Sequence, residues 1–128
     1  MAVQENTHPY ALVVDDHETF TDQITHVLHQ LGFKVESTFD GLDALKRSKS
    51  SRFDVAVCDV RMARLSGLIF LSNLSRTPAS MPKIIMASVL YDNSIRRQAL
   101  ATGASAYLLK PISMQAVKDA NDTALAKP

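Results

Sequence analysis

The stretch Ala11-Leu12-Val13-Val14-Asp15-Asp16 is a run of aliphatic residues that stops at two carboxylates. Three later apolar runs also stop at a polar residue: residues 55–58 at Asp59, residues 84–87 at Ser88 and residues 107–109 at Lys110. Short apolar runs without alternation are typical of strands that are buried on both faces, as in a parallel sheet covered by helices. Because the carboxyl ends of parallel strands share one edge, where open α/β sheets bind ligands, we expect these polar side chains to meet in one site.

Segments with helical periodicity alternate with these runs. The first is an apolar helical stripe that ends before Gly32 and comprises Phe20, Ile24, Val27, Leu28 and Leu31. Residues 34–38 predict a further strand, near a sheet edge. The four later helices are expected to begin at polar capping residues, namely Asp40, Ser66, Asn93 and Ser113. The last of them is expected to carry the apolar residues Val117, Ala120, Ala124 and Leu125.

The alternation of strand and helix, repeated five times, predicts an α/β fold with right-handed crossovers and a parallel sheet. Five strands in 128 residues fit the flavodoxin-like (βα)5 arrangement, with strand order 2-1-3-4-5 and helices on both faces. Strands 1 and 3 are neighbours in that order, and their connections leave in opposite directions. The crevice that opens there would hold Asp15, Asp16 and Asp59.

Composition excludes several classes of protein. Hydrophobic residues make up 46% and charged residues 21%, which is ordinary for a globular domain, and the net charge is +1. We therefore expect neither a membrane-surface protein nor direct binding of nucleic acid by this segment. The single cysteine, Cys58, fits a reducing compartment, and the polar N-terminus has no signal-peptide pattern, so we predict a cytoplasmic location. The expected organisation is a polar tail at 1–9, one domain at 10–126 and a C-terminal end at 127–128 that could begin a linker.

The residues at the strand ends suit a divalent cation and a phosphoryl group. Paired carboxylates such as Asp15 and Asp16 repel each other, and Mg²⁺ or Mn²⁺ would relieve that cost with oxygen ligands. In the alternative interpretation, Asp16 only caps the first helix. Asp59 fits a metal ligand, a nucleophile toward phosphorus or a surface acid. Lys110 would reach phosphoryl oxygens, or else remain a solvated lysine, and a cis bond before Pro111 would turn it inward.

This pattern resembles the signature of response-regulator receiver domains of the chemotaxis-regulator type, over about residues 10–126. The matching residues are Asp15, Asp16, Asp59, Ser88, Tyr107 and the dipeptide Lys110-Pro111. The segment from Asp59 to Gly67 also matches the family pattern D-x-x-M-P-x-x-x-G, except that Ala63 replaces the proline. Seven matches in order, at fitting spacing, make the resemblance specific although no single one is.

The resemblance implies a role for each matched residue. Asp59 would accept a phosphoryl group from a sensor histidine kinase, a histidine phosphotransfer protein or a small acyl phosphate, so the only catalysis would be transfer onto the chain itself. Asp16, Asp59 and the backbone carbonyl of Arg61 would bind Mg²⁺ directly, and Asp15 through a water. Lys110 and Ser88 would bind the phosphoryl oxygens. Tyr107 would turn inward with Ser88 and change the face of the fourth helix, fifth strand and fifth helix, where an effector domain or a second copy would bind.

Three residues depart from the usual family pattern around the acceptor. Val89 stands where a smaller residue is usual, Leu90 is apolar, and Arg61 is long and cationic. We hypothesise that they shield an aspartyl phosphate from water and slow its hydrolysis. Ala63 removes the fixed φ that a proline would give the loop after Asp59, so we expect a looser loop.

Other interpretations remain open. A receiver-shaped docking module that takes no phosphate would work through protein contacts alone. A Mg²⁺-dependent phosphatase of the haloacid-dehalogenase kind needs a second aspartate two residues after the nucleophile, and Asp15-Asp16-His17 breaks that spacing. His17, His26 and His29 lie on or near the first helix and, without further ligands, only weakly indicate a metal site.

Overall fold

In the computed structural model, residues 9–62, 64–77, 81–89, 92–113 and 115–120 are described. The strands are β1 Tyr10–Val14, β2 Lys34–Thr38, β3 Val55–Cys58, β4 Lys83–Ser88 and β5 Ala106–Leu109. The helices are α1 Glu18–Gln30, α2 Gly41–Ser50, α3 Gly67–Leu74, α4 Asn93–Thr102 and α5 at 115–120. Strand and helix alternate along this part of the chain, as predicted. Residues 1–8 of the expected tail at 1–9, Ala124, Leu125 and the end at 127–128 lie outside the described residues.

The five strands form one sheet in the order β2-β1-β3-β4-β5, and all four pairings are parallel. This confirms the flavodoxin-like arrangement and places β2 at an edge, as predicted from its sequence and in agreement with its mixed burial. The register aligns Val14 of β1 with Cys58 of β3 and Thr38 of β2. The residues that follow β1 and β3 are therefore neighbours in space.

The core lies in two layers, one on each face of the sheet. Side chains from alternate strand positions enter opposite layers because successive residues of a strand point to opposite faces. One layer packs α2, α3 and α4 on the sheet, and it includes Leu12, Cys58, Phe70, Met86 and Ala99. The other packs α1 and α5, and it includes Val13, Ile24, Leu28, Ile85 and Val117. Burial on both faces explains why β1 and β3 are continuously apolar.

The helix ends confirm most of the predicted caps and correct one. The Asp40 carboxylate accepts a hydrogen bond from Leu42 N at 2.8 Å, and Ser66 Oγ accepts one from Ile69 N at 3.2 Å. Ser113 Oγ likewise accepts one from Ala116 N at 3.0 Å. The prediction that Asn93 caps α4 was wrong. Asp92 is the cap, because its carboxylate accepts hydrogen bonds from Ser94 N and Ile95 N and stabilises the positive end of the helix dipole.

No helix among the described residues is long and apolar enough to cross a lipid bilayer.

At the ends of α1 and α4, Gly32 and Gly103 have positive φ values of 96° and 129°. That backbone conformation is open to glycine and strained for other residues, which explains why the two helices stop there.

Candidate functional site

Two carboxylates meet at the carboxyl edge of the sheet because β1 and β3 are hydrogen-bonded neighbours. Asp59 N donates to the carbonyl oxygen of Val14 at 2.9 Å, and Asp15 N donates to that of Thr38 at 3.1 Å. The strand ladders thus continue one residue beyond β1 and β3. Asp15 is 1% and Asp59 is 7% exposed, so both carboxylates are withdrawn from bulk water.

Lys110 links these carboxylates from the end of β5. Its Nζ lies 2.6 Å from Asp15 Oδ2 and 3.4 Å from Asp59 Oδ2, and its side chain is only 6% exposed. The interpretation of Lys110 as a solvated lysine is therefore wrong. The Lys110–Pro111 bond is cis, as considered from the sequence, and Lys110 N donates to the carbonyl oxygen of Ser88 at 2.7 Å.

Asp16 and His17 lie beside Asp15 at the site and offer two further ligand atoms. Asp15, Asp16 and His17 each offer one ligand atom, and these atoms lie within 4.8 Å of one another. Asp15 Oδ1 also accepts a hydrogen bond from His17 N at 2.9 Å. The interpretation of Asp16 as a helix cap is wrong, because α1 begins after His17, which makes no side-chain cap bond. From the sequence, His17 was predicted only to lie at the start of the first helix, although it directly follows the two carboxylates.

The electrostatics of the site leave an excess of negative charge. Burial raises the pKa of the Asp59 carboxyl, the Lys110 ammonium opposes that rise, and the negative charge of Asp15 adds to it. Arg61 N also donates weakly to Asp59 Oδ1, at 3.3 Å. Among the described residues, Lys110 contacts the carboxylates of Asp15 and Asp59, and Asp16 adds a third carboxylate beside Asp15. Carboxylate oxygens are the hard ligands that Mg²⁺ and Mn²⁺ prefer. This donor set fits a divalent cation of that class.

Stability should depend on pH through Asp59. A carboxyl whose pKa is higher in the folded chain favours folding at low pH, and this contribution is lost as pH rises from about 3.9 through the raised value. In EDTA, Asp59→Asn should therefore be more stable than the parent at pH 7, and the difference should shrink toward pH 3. Urea unfolding across this range measures it, with Asp22→Asn on the exposed side of α1 as the control. A parent advantage at pH 7 would contradict the expectation.

Of the other residues predicted to lie at or near the site, the structure describes Ser88, Tyr107, Arg61 and Val89. Ser88 ends β4 and is 1% exposed, while Tyr107 lies half-buried on β5, opposite Met86. Arg61 is exposed, and Val89 is 63% exposed, so neither side chain is buried in the site. Ala63 and Leu90 lie outside the described residues.

The loop after Asp59 is held by close backbone packing. Gly67 N donates to the carbonyl oxygen of Val60 at 2.7 Å, and a Cβ on Gly67 would lie 2.0 Å from the carbonyl oxygen of Asp59. Arg64 has a positive φ of 67°, and its guanidinium is paired with Asp40 at the start of α2. These contacts hold the loop at Arg64 and at Gly67. The family-like glycine at position 67 could be recognised in the sequence, but the Arg64–Asp40 pair could not, because no local pattern joins residues so far apart.

A family model described as the response regulator receiver domain matches residues 11–122, nearly the whole chain. The chain belongs to that family. It is thus a receiver domain of a two-component response regulator, as its relatives also indicate. The transcriptional regulatory protein ZraR of Salmonella typhimurium is 32% identical over 117 residues, which cover 90% of this chain and 26% of ZraR. The chain thus spans about a quarter of the length of the curated relatives of this kind.

Solved structures agree with the receiver fold. The chemotaxis response regulator CheY4 of Vibrio cholerae is 27% identical, with a TM-score of 0.84 over 93% of this chain and 100% of that one. A response regulator from Burkholderia pseudomallei is 26% identical, with a TM-score of 0.79 over 88% of this chain and 65% of that one. The latter structure contains a phosphorylated aspartic acid, a calcium ion and citrate.

Proposed function

We propose that this receiver domain accepts a phosphoryl group on Asp59 and that the modification switches the face formed by α4, β5 and α5. The observation that carries the proposal is the buried Lys110 ammonium, which lies within reach of both Asp15 and Asp59. A nucleophilic carboxylate beside a fixed positive charge suits phosphoryl transfer, because charge develops on the phosphoryl oxygens. The phosphorylated aspartate of the Burkholderia pseudomallei relative supports the same chemistry here.

In the proposed transfer, a carboxylate oxygen of Asp59 bonds to phosphorus while the N–P bond of a phosphohistidine breaks. The bonding pair stays on the imidazole of a sensor histidine kinase or a histidine phosphotransfer protein. With an acyl phosphate, the acyl O–P bond breaks and the pair leaves on the carboxylate oxygen. The chain would not act on other substrates, so this transfer onto its own residue is the only catalysis proposed.

The acidic residues would hold Mg²⁺ or Mn²⁺ through Asp15, Asp16, Asp59 and the backbone carbonyl of Arg61. When bound, the cation offsets the repulsion between a carboxylate nucleophile and an anionic phosphoryl group. The Lys110 ammonium would bind phosphoryl oxygens on another side from the cation. It is buried and already in place before the reaction.

The switch is proposed to begin at Ser88 and Tyr107. Ser88 ends the strand next to β3, so its hydroxyl would donate to an added phosphoryl oxygen. Tyr107 lies on the neighbouring strand and would turn inward as Ser88 moves. The change would alter the α4-β5-α5 face, where we propose that an effector domain or a second copy binds. The receiver domain is proposed to occupy 10–126, after a tail at 1–9 and before a C-terminal end at 127–128, in a cytoplasmic protein.

The test is uptake of a phosphoryl group from acetyl phosphate with Mg²⁺, followed by intact-mass spectrometry. We expect the parent and Asp22→Asn to gain about 80 Da, the mass of one phosphoryl group, and Asp59→Asn to gain nothing. EDTA should abolish the gain. Absence of an adduct in the parent would contradict the proposal and favour a docking module that works without phosphate. Rapid multiple-turnover release of phosphate would instead favour a phosphatase.

The lifetime of the adduct tests the shielding hypothesis for Arg61, Val89 and Leu90. If Arg61 and Val89 move over an added phosphoryl group, Arg61→Asn and Val89→Ala should each lose the adduct faster than the parent. The loss is measured by intact mass after removal of acetyl phosphate, with Arg52→Asn, exposed before β3 and outside the proposed switching face, as the control. Decay rates equal to that of the parent would reject the hypothesis. They would show that both side chains stay exposed, as they are in this structure, after the phosphoryl group is added.

A further inference from the structure

The Lys110 ammonium has a third neighbour, the aromatic ring of Phe20. Its Nζ lies 4.1 Å from the centroid of that ring, over the ring face. Phe20 belongs to the first turn of α1, and the sequence indicates for it only a place in the apolar stripe of that helix. The ring therefore reaches the site from the helix that covers it, whereas Asp15 and Asp59 reach it from the sheet.

We propose that Phe20 is a positioning residue for phosphoryl transfer, which holds the Lys110 ammonium in place by a cation–π interaction. The face of an aromatic ring carries negative electrostatic potential, and it attracts a cation within about 6 Å of its centroid. The attraction is strongest where water is excluded, and the Lys110 side chain is only 6% exposed. An aliphatic side chain of similar volume would fill the same space without that attraction.

The geometry gives each side of the ammonium a different partner. The short contact of 2.6 Å goes to Asp15, and the longer one of 3.4 Å leaves Asp59 loosely held. The ring interaction needs no donated hydrogen bond, so it restrains the ammonium without occupying the carboxylate that is proposed to react. Phe20 would thus keep Lys110 near Asp59 before a phosphoryl group arrives. This consequence depends on the proposed function, whereas the ring contact itself does not.

The test separates ring electrostatics from packing by stepwise fluorination of Phe20 in the full chain. Fluorine withdraws electron density from the ring face while changing its shape little. We expect the rate of phosphoryl uptake from acetyl phosphate to fall with each added fluorine, and by about threefold to thirtyfold in Phe20→Leu. Phe20→Tyr, which keeps the ring face, should stay near the parent rate. The same fluorination at Phe33, buried in the same core layer at the other end of α1, is the control and should leave the rate unchanged.

A second measurement does not require phosphorylation. In metal-free protein, the Lys110 Hε protons should show an upfield ring-current shift by NMR that persists in Phe20→Tyr and disappears in Phe20→Leu. Uptake rates that do not change with fluorination, together with normal folding, would overturn the positioning role and leave Phe20 as a packing residue. If the parent took up no phosphoryl group, the proposed function would fail, while the ring-current shift would still decide whether the contact exists. Its absence in the parent would overturn the inference outright.

Discussion

Replacing Lys110 by methionine is expected to destabilise the metal-free domain by about 3–5 kcal/mol at neutral pH, because it leaves buried carboxylates without their cation. Methionine keeps most of the length and volume of the lysine stem, so the loss is electrostatic rather than a cavity. Asp15 and Asp59 would then face each other at 1% and 7% exposure. Urea unfolding in EDTA at pH 7 measures the effect. Lys118→Met, on the exposed side of α5, provides the control.

Two conditions should restore stability to the Lys110→Met variant. Lowering the pH should protonate a buried carboxyl, since loss of the nearby ammonium removes the charge that opposes the raised pKa of Asp59. Mg²⁺ should stabilise the variant by more than it stabilises the parent, because the cation takes over the missing charge compensation. Phosphoryl uptake should nevertheless remain slow, since the variant lacks the ammonium that faces the phosphoryl oxygens. A variant as stable as the parent in EDTA would show that Lys110 does not compensate the carboxylates.

The fold could be predicted from the sequence because its main signals are local. Strands buried on both faces are apolar without alternation, so residues 11–14 and 55–58 could be recognised one by one, and glycines marked the helix ends. The convergence of Asp15, Asp59 and Lys110 followed from topology alone, since parallel strands end on one edge. The prediction of the α4 cap failed because aspartate and asparagine are both good caps. The choice between Asp92 and Asn93 depends on where the first turn begins.

Contacts between distant side chains could not be predicted. Phe20 belongs to an ordinary apolar stripe, and the packing of α1 on the sheet brings its ring to Lys110. This contact has no signature in residue spacing, because it depends on how a helix packs rather than on which residues form it.

Gly67→Ala is expected to damage the site through the backbone rather than through any functional side chain. A Cβ at this position would lie 2.0 Å from the Asp59 carbonyl oxygen and 2.9 Å from the Asp59 carbonyl carbon, closer than these atoms normally approach. Because the neighbours are backbone atoms, either α3 must move away from β3 or the Asp59 peptide must turn. Overpacking of this kind costs about 1–3 kcal/mol. We expect that loss in urea unfolding, together with a larger fall in phosphoryl uptake than stability alone explains.

Gly32→Ala is the matched control for this clash. Gly32 has a positive φ of 96°, but an added Cβ would meet nothing within 4 Å, and the residue lies at the opposite end of α1 from the site. The change should therefore cost about 1 kcal/mol in backbone strain while leaving phosphoryl uptake at the parent rate. If Gly67→Ala took up phosphoryl groups as fast as Gly32→Ala at equal stability, the position of the Asp59 backbone would not limit the reaction. Slower uptake in Gly67→Ala alone would show that the close packing of α3 on β3 determines the orientation of the Asp59 carboxylate.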